Sequence, residues 1–222
     1  MKPIQTKRLT VSAVMLALST VLAAVCALIP FLQLPMGGGI TLASMLPIVI
    51  VSYMYGVKWG LFTAFTYSVI QVVMDLMLGV SGSVIMALFM PENDSYMGIF
   101  AGICILLLDY LVAYTVVGLG GIFRDRFESK AKALCLGSVV AVGLRFVSHV
   151  ISGYIFYGAW AEWFFSQESL GAFGQAVLAT FDGQLLAFIY SLCYNGFYMI
   201  PEIIITAIAA VAVSRISQVK KY

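Results

Sequence analysis

Apolar residues run almost unbroken through six stretches of the chain, residues 9–30, 40–57, 58–79, 97–120, 131–157 and 183–214. A run of about 18 such residues with few charges is long enough to cross a bilayer's hydrocarbon core as a helix. The pattern predicts an all-α integral membrane protein with six transmembrane helices. Short links keep these helices together, so residues 1–222 read as a single six-helix membrane domain. The first stretch has the basic flank of a signal peptide (Lys2, Lys7, Arg8), but its apolar run is too long for a signal core and no A-x-A site precedes polar sequence. It reads as a retained helix.

Three links break the pattern in their own ways. "FLQLPMGGG", residues 31–39, is uncharged and glycine-rich, and reads either as a plain turn or as a loop that approaches a ligand. Residues 80–98 hold "SVIMALFM" followed by "PENDSY". About ten apolar residues cannot cross the bilayer, so a helical extension, a re-entrant piece or an interfacial segment is expected there. Residues 158–182 carry Trp160, Trp163, Phe164 and Phe165 and read as an interfacial aromatic belt or as a lid over a pocket.

Composition agrees with the pattern: 62% of residues are hydrophobic and 10% charged, against about 25% charged in soluble domains. Charge then orients the bundle. One set of tails and links collects Lys2, Lys7, Arg8, Lys58, Arg124, Arg126, Lys130, Lys132, Arg215, Lys220 and Lys221. The other set holds Glu92, Asp94, Glu162, Glu168 and Asp182 and no basic residue. Basic loops stay on the cytoplasmic side, so both termini are expected to be cytoplasmic. Arg145 alone among the Lys and Arg residues falls deep inside a span, away from its ends.

A charge at mid-bilayer costs roughly 2.5–3.5 kcal/mol on insertion scales, so ionisable residues there usually face the bundle interior and mark function. Arg145, His149, Gly153 and Tyr157 recur every four residues, which puts a cation, the chain's single imidazole, a gap and a phenol on one helix face. That face reads as a ligand surface; its alternative is a structural ion pair. "LLLDYLVAY" adds Asp109, Tyr110 and Tyr114, and a carboxylate at that depth needs Arg145, another donor or a cationic ligand. "IYSLCYNGFYMIPE" adds Tyr190, Ser191, Tyr194, Asn195 and Tyr198, residues that either bind a ligand or join helices by hydrogen bonds. Gln71 and Asp75, four apart, read as a structural pair, and Glu202 after Pro201 has no assigned role. A carboxylate, an imidazole, an amide and aromatic faces together suit a small, polar, aromatic, cationic ligand arriving from outside.

Ala13, Ala17, Thr20, Ala24 and Ala27 form a stripe of small residues that packs either within the bundle or against another protein. No GxxxxGK[ST] loop is present for nucleotide hydrolysis, no His/Cys cluster offers a metal site, and no cofactor or nucleic acid is implied. "GVSG", Gly79–Gly82, has the form found in rhomboid intramembrane proteases, which keeps a Ser81–His149 dyad as a remote alternative. The four cysteines, Cys26, Cys104, Cys135 and Cys193, lie in apolar spans without CxxC pairing and read as small fillers.

"PMGGGITLASMLPI", "LLLDYLVAYTVVGLGG", "LRFVSHVISGYIFYG" and "IYSLCYNGFYMIPE" occur in this order across most of the chain. Together they resemble the thiamine-binding S component, the substrate-capture subunit, of energy-coupling factor transporters. The resemblance implies six helices in a bacterial cell membrane and a high-affinity thiamine site near the outer face. It carries over binding positions to Asp109, Tyr110, Arg145, His149, Gly153, Tyr157, Tyr190 and Asn195, with Trp160 or Trp163 as a lid and Phe31 as a candidate aromatic beside the first loop. It also implies transport without enzymatic chemistry by this chain. The implied partners are a membrane T component and two ATPases, docking in part on the A-x-x-x-A motif of Ala13 and Ala17. Another vitamin or a thiamine precursor is the alternative ligand.

Overall fold

A computed structural model describes residues 3–34, 38–78, 90–92 and 96–221. Five of its helices are long and apolar enough to cross a membrane: α1 (Gln5–Ala27 within Pro3–Ala27), α3 (Val57–Met77 within Val57–Leu78), α4 (Ile99–Gly121), α5 (Lys130–Phe156) and α8 (Gly183–Val213). Their outward faces carry large apolar side chains such as Val14, Phe62, Phe100 and Ile208. A soluble domain would bury these; a bundle in a bilayer turns them to lipid. The chain is a multi-pass membrane protein.

The second stretch departs from expectation. Residues 40–57 are apolar enough for a full helix, yet α2 spans only Leu46–Tyr55, 10 residues. At 1.5 Å per residue it covers about 15 Å, half of a roughly 30 Å core. Pro47 sits in its first turn, where a missing N–H costs nothing. Residues Leu46 to Met54 are all buried, as an all-round apolar helix should be.

The other half of the crossing is irregular chain. Leu34 and Ile40 donate backbone bonds to Gly38 and Leu32, and Gln33 bridges Gly39, so the loop folds back as a small hairpin. A turn follows in which Leu42 and Ala43 both have positive φ, 44° and 65°. Non-helical backbone at membrane depth is tolerated only where protein covers it or a cavity adjoins it; here both hold.

Close glycine contacts pull α2, α3 and α4 together. A Cβ on Gly118 would lie 2.6 Å from Gly60 backbone atoms. Ser52 Oγ donates to the Gly118 carbonyl (2.5 Å) and accepts from the Gly121 N–H (2.9 Å), satisfying the tight last turns of α4.

The aromatic link carries two short helices, α6 (Ala161–Phe165) and α7 (Gly171–Thr180). Helix α6 folds back on α8, with Phe165 buried and the Phe164 ring meeting Tyr190 at 5.3 Å and Tyr194 at 5.6 Å, and α7 packs on α6 through Phe173 against Phe165 at 6.2 Å. The short α9 (Ser217–Lys220) closes the chain. Residues 79–89 and 93–95 lie outside the described residues, so "SVIMALFM" up to Phe89, together with "GVSG", has no structural account.

Candidate binding cavity

The bundle encloses a cavity of about 230 Å³ where α1, α3, α4, α5, α8 and the first loop converge. The eight binding positions carried over by the resemblance all line it: Asp109, Tyr110, Arg145, His149, Gly153, Tyr157, Tyr190 and Asn195. The four-residue spacing from Arg145 to Tyr157 thus places all four residues on one wall.

Helix α4 is not a plain α-helix here. Leu106–Val112 winds as a π-helix, which narrows the angle between successive side chains and turns both Asp109 and Tyr110 to the cavity. Ser148 of α5 donates to the Leu108 carbonyl (2.7 Å), tying α5 to this wider turn.

Both oxygens of the Asp109 carboxylate have a partner. His149 Nδ1 lies 2.9 Å from Oδ1, and Ser152 Oγ donates to Oδ2 at 2.7 Å. A carboxylate can only accept, so Nδ1 carries the proton and, in the neutral imidazole, Nε2 is the acceptor. Nε2 is buried and has no hydrogen-bond partner among the described residues. Ser, His and Asp therefore meet here, but the serine hydroxyl points at the carboxylate. A nucleophile would need to face Nε2.

Arg145 is not held by Asp109. Its guanidinium stacks 4.5 Å over the Tyr114 ring and donates from Nη2 to Tyr114 Oη (3.2 Å). The guanidinium Nε is buried without a partner among the described residues. Of the partners open to Asp109 from the sequence (Arg145, another donor or a cationic ligand), the structure supplies donors, His149 and Ser152.

Asn195 is committed to the scaffold. Its amide donates to the carbonyls of His149 (3.3 Å) and Ser191 (2.9 Å), and its Oδ1 accepts from Tyr198 Oη (2.7 Å). Gly153 is more than a gap: a Cβ there would collide with Ser191 Oγ and come 3.1 Å from Asn195 Nδ2. Its lack of a side chain lets α5 and α8 meet beside the cavity.

Trp160 and Trp163 do not line the cavity. They stack edge-on at 6.1 Å and are 37% and 42% exposed. Phe164, the residue after Trp163, is the link aromatic that backs the cavity tyrosines Tyr190 and Tyr194. Phe31 points away, 84% exposed. The small-residue stripe divides: Thr20, Ala24 and Ala27 line the cavity, while Ala13 and Ala17 are exposed on the bundle's outside.

The remaining lining residues include several for which the sequence left a binding role open or gave none. Gln33, Gly38, Gly39, Thr41 and Met45 come from the first loop. Gln71 and Asp75, read as a structural pair, both face the cavity, and Gln71 donates to Tyr67 Oη. Tyr114, Tyr194 and Tyr198 complete a set of six tyrosines with Tyr110, Tyr157 and Tyr190. Two carboxylates, an oriented imidazole and many ring faces make a surface suited to a flat cationic heteroaromatic molecule.

Comparisons with known proteins bear on this geometry. A family model described as thiamine transporter protein matches residues 9–102 and 79–166. The chain is 32% identical to the thiamine transporter ThiT of Bacillus subtilis over 213 residues, 92% of this chain and 88% of that protein. A solved structure of ThiT from Listeria monocytogenes superposes with a TM-score of 0.55 at 16% identity, covering 93% of this chain and 96% of that one. At that identity the superposition speaks for the fold, while the sequence match extends along nearly the whole chain. On these grounds the protein belongs to the thiamine transporter family.

Proposed function

We propose that the chain captures thiamine in the cavity and serves as the S component of an energy-coupling factor transporter in a bacterial cell membrane. The observation that carries this reading is His149 Nε2: a buried acceptor, oriented through Nδ1 by Asp109, with no partner among the described residues. Thiamine offers an exocyclic aminopyrimidine N–H to such an acceptor and a thiazolium cation to tyrosine faces and carboxylates. Asp109, Tyr110, Arg145, His149, Gly153, Tyr157, Tyr190 and Asn195 form the binding wall, with Phe164 rather than Trp160 or Trp163 supporting it from the aromatic link.

The basic tails and links support both termini lying in the cytoplasm, with the cavity opening to the other side. The chain lacks a nucleotide loop, so concentrative uptake draws its energy from a T component and two ATPases. The exposed Ala13 and Ala17 offer those partners a flat helix surface. A calorimetric titration of the purified protein tests the ligand assignment. Saturable binding of thiamine, with none of riboflavin, is expected. A saturable response to another vitamin and none to thiamine would overturn the assignment. Concentrative uptake by vesicles holding this chain alone would overturn the dependence on partners.

A further inference from the structure

Glu202 is an acid with no part in the binding wall. It follows Pro201 inside α8 and is 1% exposed. Its Oε2 accepts the backbone N–H of Thr41 at 2.8 Å, a contact between residues 161 apart in sequence. Thr41 lines the cavity and immediately precedes Leu42 and Ala43, the two non-glycine residues with positive φ among the described residues. Backbone in that region persists only where its surroundings over-determine it.

We infer that Glu202 is a positioning residue for ligand binding: its carboxylate pins the first loop at Thr41 and so fixes the cavity wall formed by Gly38, Thr41 and Met45. A second contact carries this effect further. Gly38 lies against Tyr198, where a Cβ would come 2.9 Å from the ring. Tyr198 in turn donates to Asn195 Oδ1. A loop released at Thr41 withdraws Gly38 from Tyr198 and frees that ring to turn away from Asn195. The hydrogen bond also does what α2 cannot: its helix starts only at Leu46, so the loop's amides need acceptors from elsewhere. Where binding is concerned, the inference rests on the thiamine reading.

Hydrogen exchange followed residue by residue, with thiamine affinity alongside, tests it. In the unmodified, ligand-free protein the Thr41 amide is expected to exchange more slowly than its neighbours in residues 38–45. Glu202→Gln keeps an acceptor oxygen and is expected to retain that protection, with affinity within about three-fold of the unmodified protein. Glu202→Leu removes the acceptor; exchange at Thr41 is expected to rise, and affinity to fall, by about ten-fold or more, while α5 amides stay unchanged. A rapidly exchanging Thr41 amide in the unmodified protein overturns the inference without any variant. So does a Glu202→Gln protein as damaged as Glu202→Leu, which would assign the role to charge. Equal loosening of α5 and the loop in Glu202→Leu overturns it too, as the mark of a general scaffold role. The exchange arms need no ligand, so failure of thiamine to bind the unmodified protein would strike the proposed function and not the pinning.

Discussion

In the proposed binding site Asp109 acts through His149, and a double-mutant cycle tests that role and measures how far it reaches. The carboxylate holds Nδ1 at 2.9 Å and accepts Ser152 Oγ at 2.7 Å. Hydrogen bonds to a charged group contribute about 1.5–3 kcal/mol, and a buried donor left unpaired costs about 1–3 kcal/mol. Removing the carboxylate with Asp109→Ala leaves Nδ1–H without its acceptor, so the imidazole is free to turn or change tautomer and Nε2 no longer waits as an acceptor. At about 1.4 kcal/mol per ten-fold, thiamine affinity should fall about ten- to a hundred-fold. Asp109→Asn keeps one oxygen for Nδ1 and gives up the charge, so its loss should sit at about ten-fold, the low end of that range. His149→Ala removes the acceptor outright and should match Asp109→Ala. The double variant should then bind little worse than His149→Ala alone, because the carboxylate has lost the group it orients. Titration calorimetry on each detergent-purified variant, with melting curves to verify folding, gives the four affinities. Full additivity of the two single effects would refute the orienting role and make Asp109 an independent ligand. Unchanged affinity in both single variants would place the site elsewhere.

Other substitutions have equally specific outcomes. Gly153→Ala drives a methyl group into Ser191 Oγ at the α5–α8 contact; over-packing of this kind costs about 1–3 kcal/mol, so both melting temperature and thiamine affinity should drop. Ala13→Trp with Ala17→Trp, on an exposed face, should leave thiamine binding intact in calorimetry while abolishing cellular uptake and co-purification of the transporter partners. Trp160→Leu and Trp163→Leu lie outside the cavity wall and should change calorimetric affinity by less than about two-fold, whereas Phe164→Ala, which removes two ring contacts to cavity tyrosines, should weaken it by more.

The sequence alone determined the class of molecule and most of one wall of its cavity. Long apolar runs dictate membrane helices because a bilayer offers backbone groups no partners other than their own helix. Four of the six expected spans agree with observed helices to within three residues at each end, and the first helix starts and stops a little earlier than its apolar run. The Arg145–Tyr157 spacing was legible because a helix repeats nearly every four residues, whatever lies around it. Pro47 stands in the first turn of α2, inside a run whose apolar character argued for a longer helix. Three features depended on the tertiary structure. The π turn at Leu106–Val112, which sends Asp109 to His149 and leaves Arg145 to Tyr114, comes from packing of α4 against its neighbours and leaves no mark in the residue pattern. The irregular half of the second crossing is apolar enough to pass for helix. What decides its path is where its backbone amides find acceptors, and one of these is Glu202, 161 residues away from Thr41. The division of the alanine stripe, with Ala24 facing the cavity and Ala13 facing out, is set by how far the neighbouring helices reach along α1. Local spacing fixes which side chains share a face; only the assembled bundle decides what that face meets.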